Sequence, residues 1–113
     1  MLPTLINARG GKLHQTEDSY VILIEYGFFL RLNEMEQKAL LAHELGHIIY
    51  VQPILCFTYL SCQRGADRFA ALHTSPDATI GLLNKLFSYA EDEKKRKEHR
   101  SRIQNIERLK QGR

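Results

Sequence analysis

Apolar positions bunch in short runs over the first thirty residues and fall into helical spacing after that. Thr4 to Ala8 (TLINA) reads as a short strand, closed by the turn residues Arg9-Gly10-Gly11. Polar Lys12 to Ser19 reads as a loop. Tyr20 to Tyr26 (YVILIEY) is apolar and rich in β-branched residues, which predicts a strand punctuated by Gly27. Phe28 to Leu32 fits a returning hairpin strand or a short helix equally well.

Asn33 is a good N-cap, and Glu36 three residues later completes a capping box. The helix that follows is predicted to run to about Tyr50, with Ala39, Leu40, Ala42, Leu45 and Ile49 on its buried side. Gly46 costs about 1 kcal/mol of helix propensity relative to alanine, so its presence suggests a neighbour packed close against it. Gln52-Pro53 stops this helix, and Ile54 to Leu60 is an apolar connector, read as core packing in preference to a substrate or membrane-surface patch. Ser61 is a candidate N-cap for a second helix from Cys62 to about His73. Ser75-Pro76 opens a third, striped by Ile80, Leu83, Leu86 and Phe87. From Glu91 the chain has too few apolar residues for a core, yet Ile103, Ile106 and Leu109 form one stripe of a terminal helix.

Composition adds bounds. With 113 residues, 43% of them apolar, the chain suits a single domain with one modest core. The opening MLPTLINARGG lacks the charged start and apolar centre of a secretory signal. The most apolar stretch, residues 48–60, is well short of the roughly 20 residues a bilayer needs, so no transmembrane segment is expected. Two cysteines, Cys56 and Cys62, are too few for a disulfide framework and point to a reducing, cytoplasmic setting. Residues 94–113 hold nine of the sixteen Lys and Arg against two acidic residues, making a basic tail. A solvated helix face explains such a tail better than nucleic-acid binding, and no nucleic-acid partner is expected.

The strongest chemical signal is HELGH, His43 to His47. Histidines four apart on a helix point the same way and can share one tetrahedral zinc, Zn2+. Glu44 between them is placed to take a proton from a zinc-bound water. A catalytic zinc usually has a third protein ligand, and the helix after Ser61, with the run QRGADRFA from Gln63, is the obvious place for it.

The run VILIEYGFFLRLNEMEQKALLAHELGH, with ADRFAA, SPDATIGLLNKL and HRSRIQNIERL, resembles the gluzincin metallopeptidases of the CAAX prenyl protease and heat-shock HtpX type. The small size points to their soluble relatives, the minigluzincins, and the likeness covers nearly the whole chain. It implies an α+β, zincin-like domain over residues 1–113, with a small twisted β-sheet packed on the active-site helix and two to three further helices. It implies His43 and His47 as zinc ligands, Glu44 as general base, and Asp67 as the aspartate that fixes a ligating histidine's tautomer. His99 matches a histidine that stabilises the oxyanion, although Arg100 stands where the family usually has proline. Asn7 and Ala8 match the edge strand that aligns a peptide or protein substrate by main-chain pairing. The small relatives are held latent, and the basic segment from about 90 to 113 is accordingly expected to fold over the cleft, as in a zymogen.

One departure bears on activity. The family's glutamate ligand, four residues before Asp67, is Gln63 here. Gln63 can coordinate through its carbonyl oxygen, Cys62 can substitute as a thiolate, or the ligand is lost and the site weakened. The expected function is zinc-dependent peptide hydrolysis. The alternatives are a non-catalytic pseudo-peptidase that binds through its groove, and a phage-type HExxH peptidase that cleaves repressors.

Overall fold

Side-chain caps mark the start of every helix. The computed structural model describes residues 14–15, 20–51 and 58–112. Five helices account for most of them: α1 (Tyr26–Leu30), α2 (Glu34–Val51), α3 (Tyr59–His73), α4 (Pro76–Phe87) and α5 (Glu93–Gln111). The Glu25 carboxylate accepts from the Phe28 amide at 2.6 Å and starts α1. Asn33 and Glu36 exchange side chain-to-backbone bonds of 2.8 and 2.9 Å and start α2. Thr58 and Ser61 do the same at 3.0 Å each for α3, Ser75 caps α4 and Asp92 caps α5. Each cap satisfies amides that would otherwise be orphaned and is worth about 1 kcal/mol.

The expected α+β fold is overturned. The pairing found among the described residues is a two-residue antiparallel ladder, β1 (His14–Gln15) with β2 (Tyr20–Val21). No twisted sheet lies on α2 among the described residues. The apolar run YVILIEY leaves extended pairing after Val21, because Glu25 caps a helix that begins at Tyr26. Ile24, Phe28 and Phe29 then pack on the helical core instead of on a sheet. Strand propensity was satisfied by burial against helices, not by ladder partners. The predicted strand Thr4–Ala8, with Asn7 and Ala8, lies outside the described residues. Lys12 to Ser19, read as a loop, supplies β1 at His14–Gln15, its other positions also lying outside. Phe28 to Leu32 resolves towards the short helix.

Other boundaries moved less. The second long helix starts at Thr58 rather than Ser61, which serves as the third residue of its capping box. On α2, Ala39, Leu40 and Ala42 are buried as expected, but Leu45 and Ile49 are 47% and 49% exposed. Leu82, outside the predicted stripe of α4, is fully buried.

α2 packs on α3 and α4, α3 on α4 and α5, and α4 on α5. Two apolar clusters result. Leu32, Ala39, Leu40, Ala78 and Leu82 join α2 to α4. Ala71, Leu83 and Ile106 join α3, α4 and α5. The second cluster corrects the reading that the terminal segment lacks core residues, since Ile106 is fully buried. A polar clamp fixes α4 against the start of α2: Lys85 Nζ donates to Glu36 Oε1 at 2.7 Å and to the Arg31 carbonyl at 3.0 Å. A Cβ on Gly81 would lie 2.4 Å from Glu36 Oε2, so a side chain there would displace the carboxylate from its present position. Among the described residues no helix is long and apolar enough to cross a membrane.

Candidate metal centre

Gly46 sets how closely α3 approaches the HELGH turn of α2. A Cβ there would lie 2.9 Å from Ala66 Cα and 3.0 Å from Phe69 Cβ. Fully buried Ala66 and Ala70 keep α3 equally slim at the crossing. The close crossing carries Gln63 and Asp67, one turn apart on α3, to His47 and His43, one turn apart on α2.

The two imidazoles converge. Their Nε2 atoms are 3.1 Å apart, with the rings nearly perpendicular at 86°. The distance is that of an N–H···N hydrogen bond between the rings, and it is close to the roughly 3.3 Å that separates nitrogens sharing one tetrahedral zinc at about 2.0–2.1 Å. A Glu44 carboxylate oxygen joins them, all three ligand atoms lying within 4.8 Å of one another. Burial, followed by the like charge of His43, pushes His47 down to about 3, which leaves it unprotonated and able to donate a lone pair.

His43 is held from behind. Its Nδ1 lies 2.9 Å from Asp67 Oδ1, a close electrostatic contact that is not aligned as a linear hydrogen bond. Asp67 is fully buried and gripped by Arg102, whose Nε donates to Oδ2 at 2.8 Å and Nη2 to Oδ1 at 2.9 Å. Burial alone would raise the Asp67 pKa. The Arg102 charge and its hydrogen bonds, with help from His43, overcome that and hold the carboxyl well below the usual carboxylate range. Arg102 was missed in the sequence, where it was counted with the basic tail. It stands three residues after His99 and four before Ile106, on one helix face. The apolar stripe of α5 was therefore the signal that could have found it.

Two buried groups near this pair lack hydrogen-bond partners among the described residues: the Glu44 carboxyl, at both oxygens, and the Gln63 amide, at Oε1. Burial raises Glu44 to about 9, Arg102 opposing and Asp67 reinforcing the shift. The Gln63 amide comes close enough to the His47 ring to act on it, while its oxygen stays unbonded. Orphaned buried acceptors cost about 1–3 kcal/mol each, and a cation held between them and the imidazoles would satisfy them. The donor set thus fits a divalent metal such as zinc, which takes nitrogen and oxygen ligands. Cys62, the alternative third ligand, is disulfide-bonded, against the reducing setting read from the cysteine count, and presents no thiolate.

His99 is buried on α5 with its ring stacked at 16° on Phe87, and it stands outside the group formed by His43, Glu44 and His47. Its Nδ1 is 2.9 Å from the Lys95 carbonyl, which places the ring proton on Nδ1 and leaves Nε2 as a lone-pair acceptor. Burial, only partly offset by that carbonyl, lowers the His99 pKa and favours this neutral form. Asn7 and Ala8, the expected substrate-aligning pair, lie outside the described residues.

Compared with protein-family models, with curated proteins and with solved structures, the chain finds no match.

Proposed function

We propose that the protein is a zinc-dependent peptidase of the minigluzincin kind, with His43, His47 and Gln63 as metal donors and Glu44 as general base. The observation that carries this reading is the convergence of the two Nε2 atoms, 3.1 Å apart, beside a Glu44 carboxyl that has no other partner among the described residues. Zinc bound there would act as a Lewis acid, polarising the scissile carbonyl and making a water acidic enough to attack it.

The chain's own residues do the rest. Glu44 takes the proton from the attacking water and passes it to the leaving amine. The positive charge of a bound cation would favour its ionised, proton-accepting form, and its burial keeps bulk water from competing. Asp67 keeps the His43 Nδ1 side occupied so that Nε2 faces the cation, and Arg102 keeps Asp67 ionised in its buried position. His99 as a neutral ring offers a lone pair, suited to accepting from a substrate amide N–H; the oxyanion role would need the protonated ring, which burial opposes.

Zinc stoichiometry and cleavage of a quenched fluorogenic peptide library test the proposal. Glu44→Gln should keep its zinc and lose peptide cleavage by about a hundredfold or more. Wild-type protein that binds no zinc at micromolar metal, with Glu44→Gln cleaving as fast as wild type, would sink it. A pseudo-peptidase that binds peptides without cleaving them is the second reading, and Gln63 is the residue that favours it.

A further inference from the structure

Among the described residues, the groups that face the two imidazoles give a bound cation little compensating charge. His43 and His47 bring ring nitrogens and no anionic oxygen. Gln63, 1% exposed and with its Oε1 unbonded among the described residues, offers an amide dipole where a carboxylate would bring a full charge. Asp67 is an anion, but both of its oxygens are engaged by the Arg102 guanidinium, so the pair adds no net charge. Among the described residues the Glu44 carboxyl is the remaining acid at the imidazole pair, and on the proposed reading it is spent on the water's proton. A divalent ion in this site would keep most of its charge in a buried setting, where an uncompensated charge is expensive.

We infer that the centre takes its divalent cation together with a carboxylate supplied by the ligand, the group that cleavage creates at the new C-terminus of a peptide. This rests on the zinc reading above and deepens it. A peptide ending in a free carboxylate supplies the negative charge that Gln63 does not, so carboxylate and metal bind cooperatively at one site. The same chemistry makes the protein a product-retaining or C-terminus-recognising centre, because the acid product holds the metal better than the neutral amide substrate does.

The test uses the full chain, freed of metal and titrated with zinc against a chromogenic competitor in chloride-free buffer at constant ionic strength. The added probes are N-acetylglycine and N-acetylglycinamide, alike except that one carries a carboxylate. Millimolar N-acetylglycine should tighten zinc binding by wild type about tenfold, and the amide should leave it unchanged. Gln63→Glu should bind zinc more tightly without any additive and gain less than about twofold from the acid. Cobalt loaded in place of zinc should show an absorption change with the acid and none with the amide. Equal zinc affinity with acid and amide overturns the inference and leaves the zinc reading standing, whether or not the Gln63→Glu protein folds. An acid effect of the same size in Gln63→Glu also overturns it. Absence of zinc binding in wild type and in folded Gln63→Glu, under every additive, overturns the zinc reading itself.

Discussion

Glu44 is the residue at which the metal-free protein is least at ease. Its carboxyl is fully buried, has no hydrogen-bond partner among the described residues, and is raised from its ordinary 4.5 to about 9 by burial. Between those two values the folded protein holds a proton that the unfolded chain has released. The Glu44 contribution to the stability of the chelator-treated protein should therefore fall as pH rises from about 4.5 towards about 9. His47, depressed to about 3, opposes it below about 6.5, so the net fall is read between about 6.5 and 9 and amounts to on the order of a few kcal/mol. Glu44→Gln keeps the shape and removes the ionisation, so this slope should flatten and the variant should be the more stable one at pH 8. Thermal unfolding across that pH range in the presence of a chelator measures both effects; parallel curves for the two proteins would mean that Glu44 is solvated after all. HELGH disclosed this residue because its chemistry is local, packed into one helical turn. Arg102 was hidden because its partner, Asp67, is 35 positions away, and a charge within a basic tail looks like every other charge there.

At the level of elements, the crossing of α2 and α3 is what turns two separate helical motifs into one site. Gly46 permits it, with a Cβ clashing at 2.9 Å against the Ala66 backbone, which has no flexible end to give way. Gly46→Ala gains about 1 kcal/mol in helix propensity, but it must push α3 outward and take Gln63 and Asp67 with it. We expect the variant to lose about 1–3 kcal/mol of stability and at least tenfold in zinc affinity, read by denaturant unfolding and competitive titration. A variant with unchanged zinc affinity would show that the approach of α3 does not matter to the centre. The glycine's purpose was legible from the sequence, and so were the caps at Asn33 and Ser75, because capping chemistry acts within one turn. The start of α3 was misplaced by three residues because Thr58 and Ser61 can both cap, and the reciprocal bonds between them settle the order only in three dimensions. The strand predicted at YVILIEY failed for a related reason. β-branched residues say that a segment wants to be buried, while ladder partners decide whether it becomes part of a sheet.

For the whole molecule, the question is whether α5 is a cover over the site or a wall of it. A latent-enzyme arrangement makes the segment from about 90 onward removable, and truncation after Ala90 would then raise cleavage. The packing says otherwise. Ile106 is fully buried with Leu83 and Ala71, and Arg102 closes the Asp67–His43 chain from the same helix face. Exposing the apolar partners of a side chain such as Ile106 costs about 1.5–3 kcal/mol, and leaving Asp67 buried without its guanidinium costs about 3–5 kcal/mol. Together these approach the roughly 5–15 kcal/mol that holds a domain of this size together. We therefore expect truncation after Ala90 to abolish cooperative unfolding and zinc binding together. Because an unfolded fragment cannot distinguish a wall from a cover that is needed for folding, the full-length Arg102→Met variant is the sharper probe. With helix content retained, it should bind zinc about 10–100-fold more weakly, since it keeps the apolar contacts of α5 and removes the guanidinium that holds Asp67 behind His43. A truncated protein that stays folded and cleaves peptides faster would instead make α5 a lid. Unchanged zinc affinity in Arg102→Met would reduce the Asp67–Arg102 pair to a structural tie. The geometry favours the wall: the basic tail turns its charges outward along most of its length, and its one buried guanidinium among the described residues is the one that reaches Asp67 behind the candidate metal site.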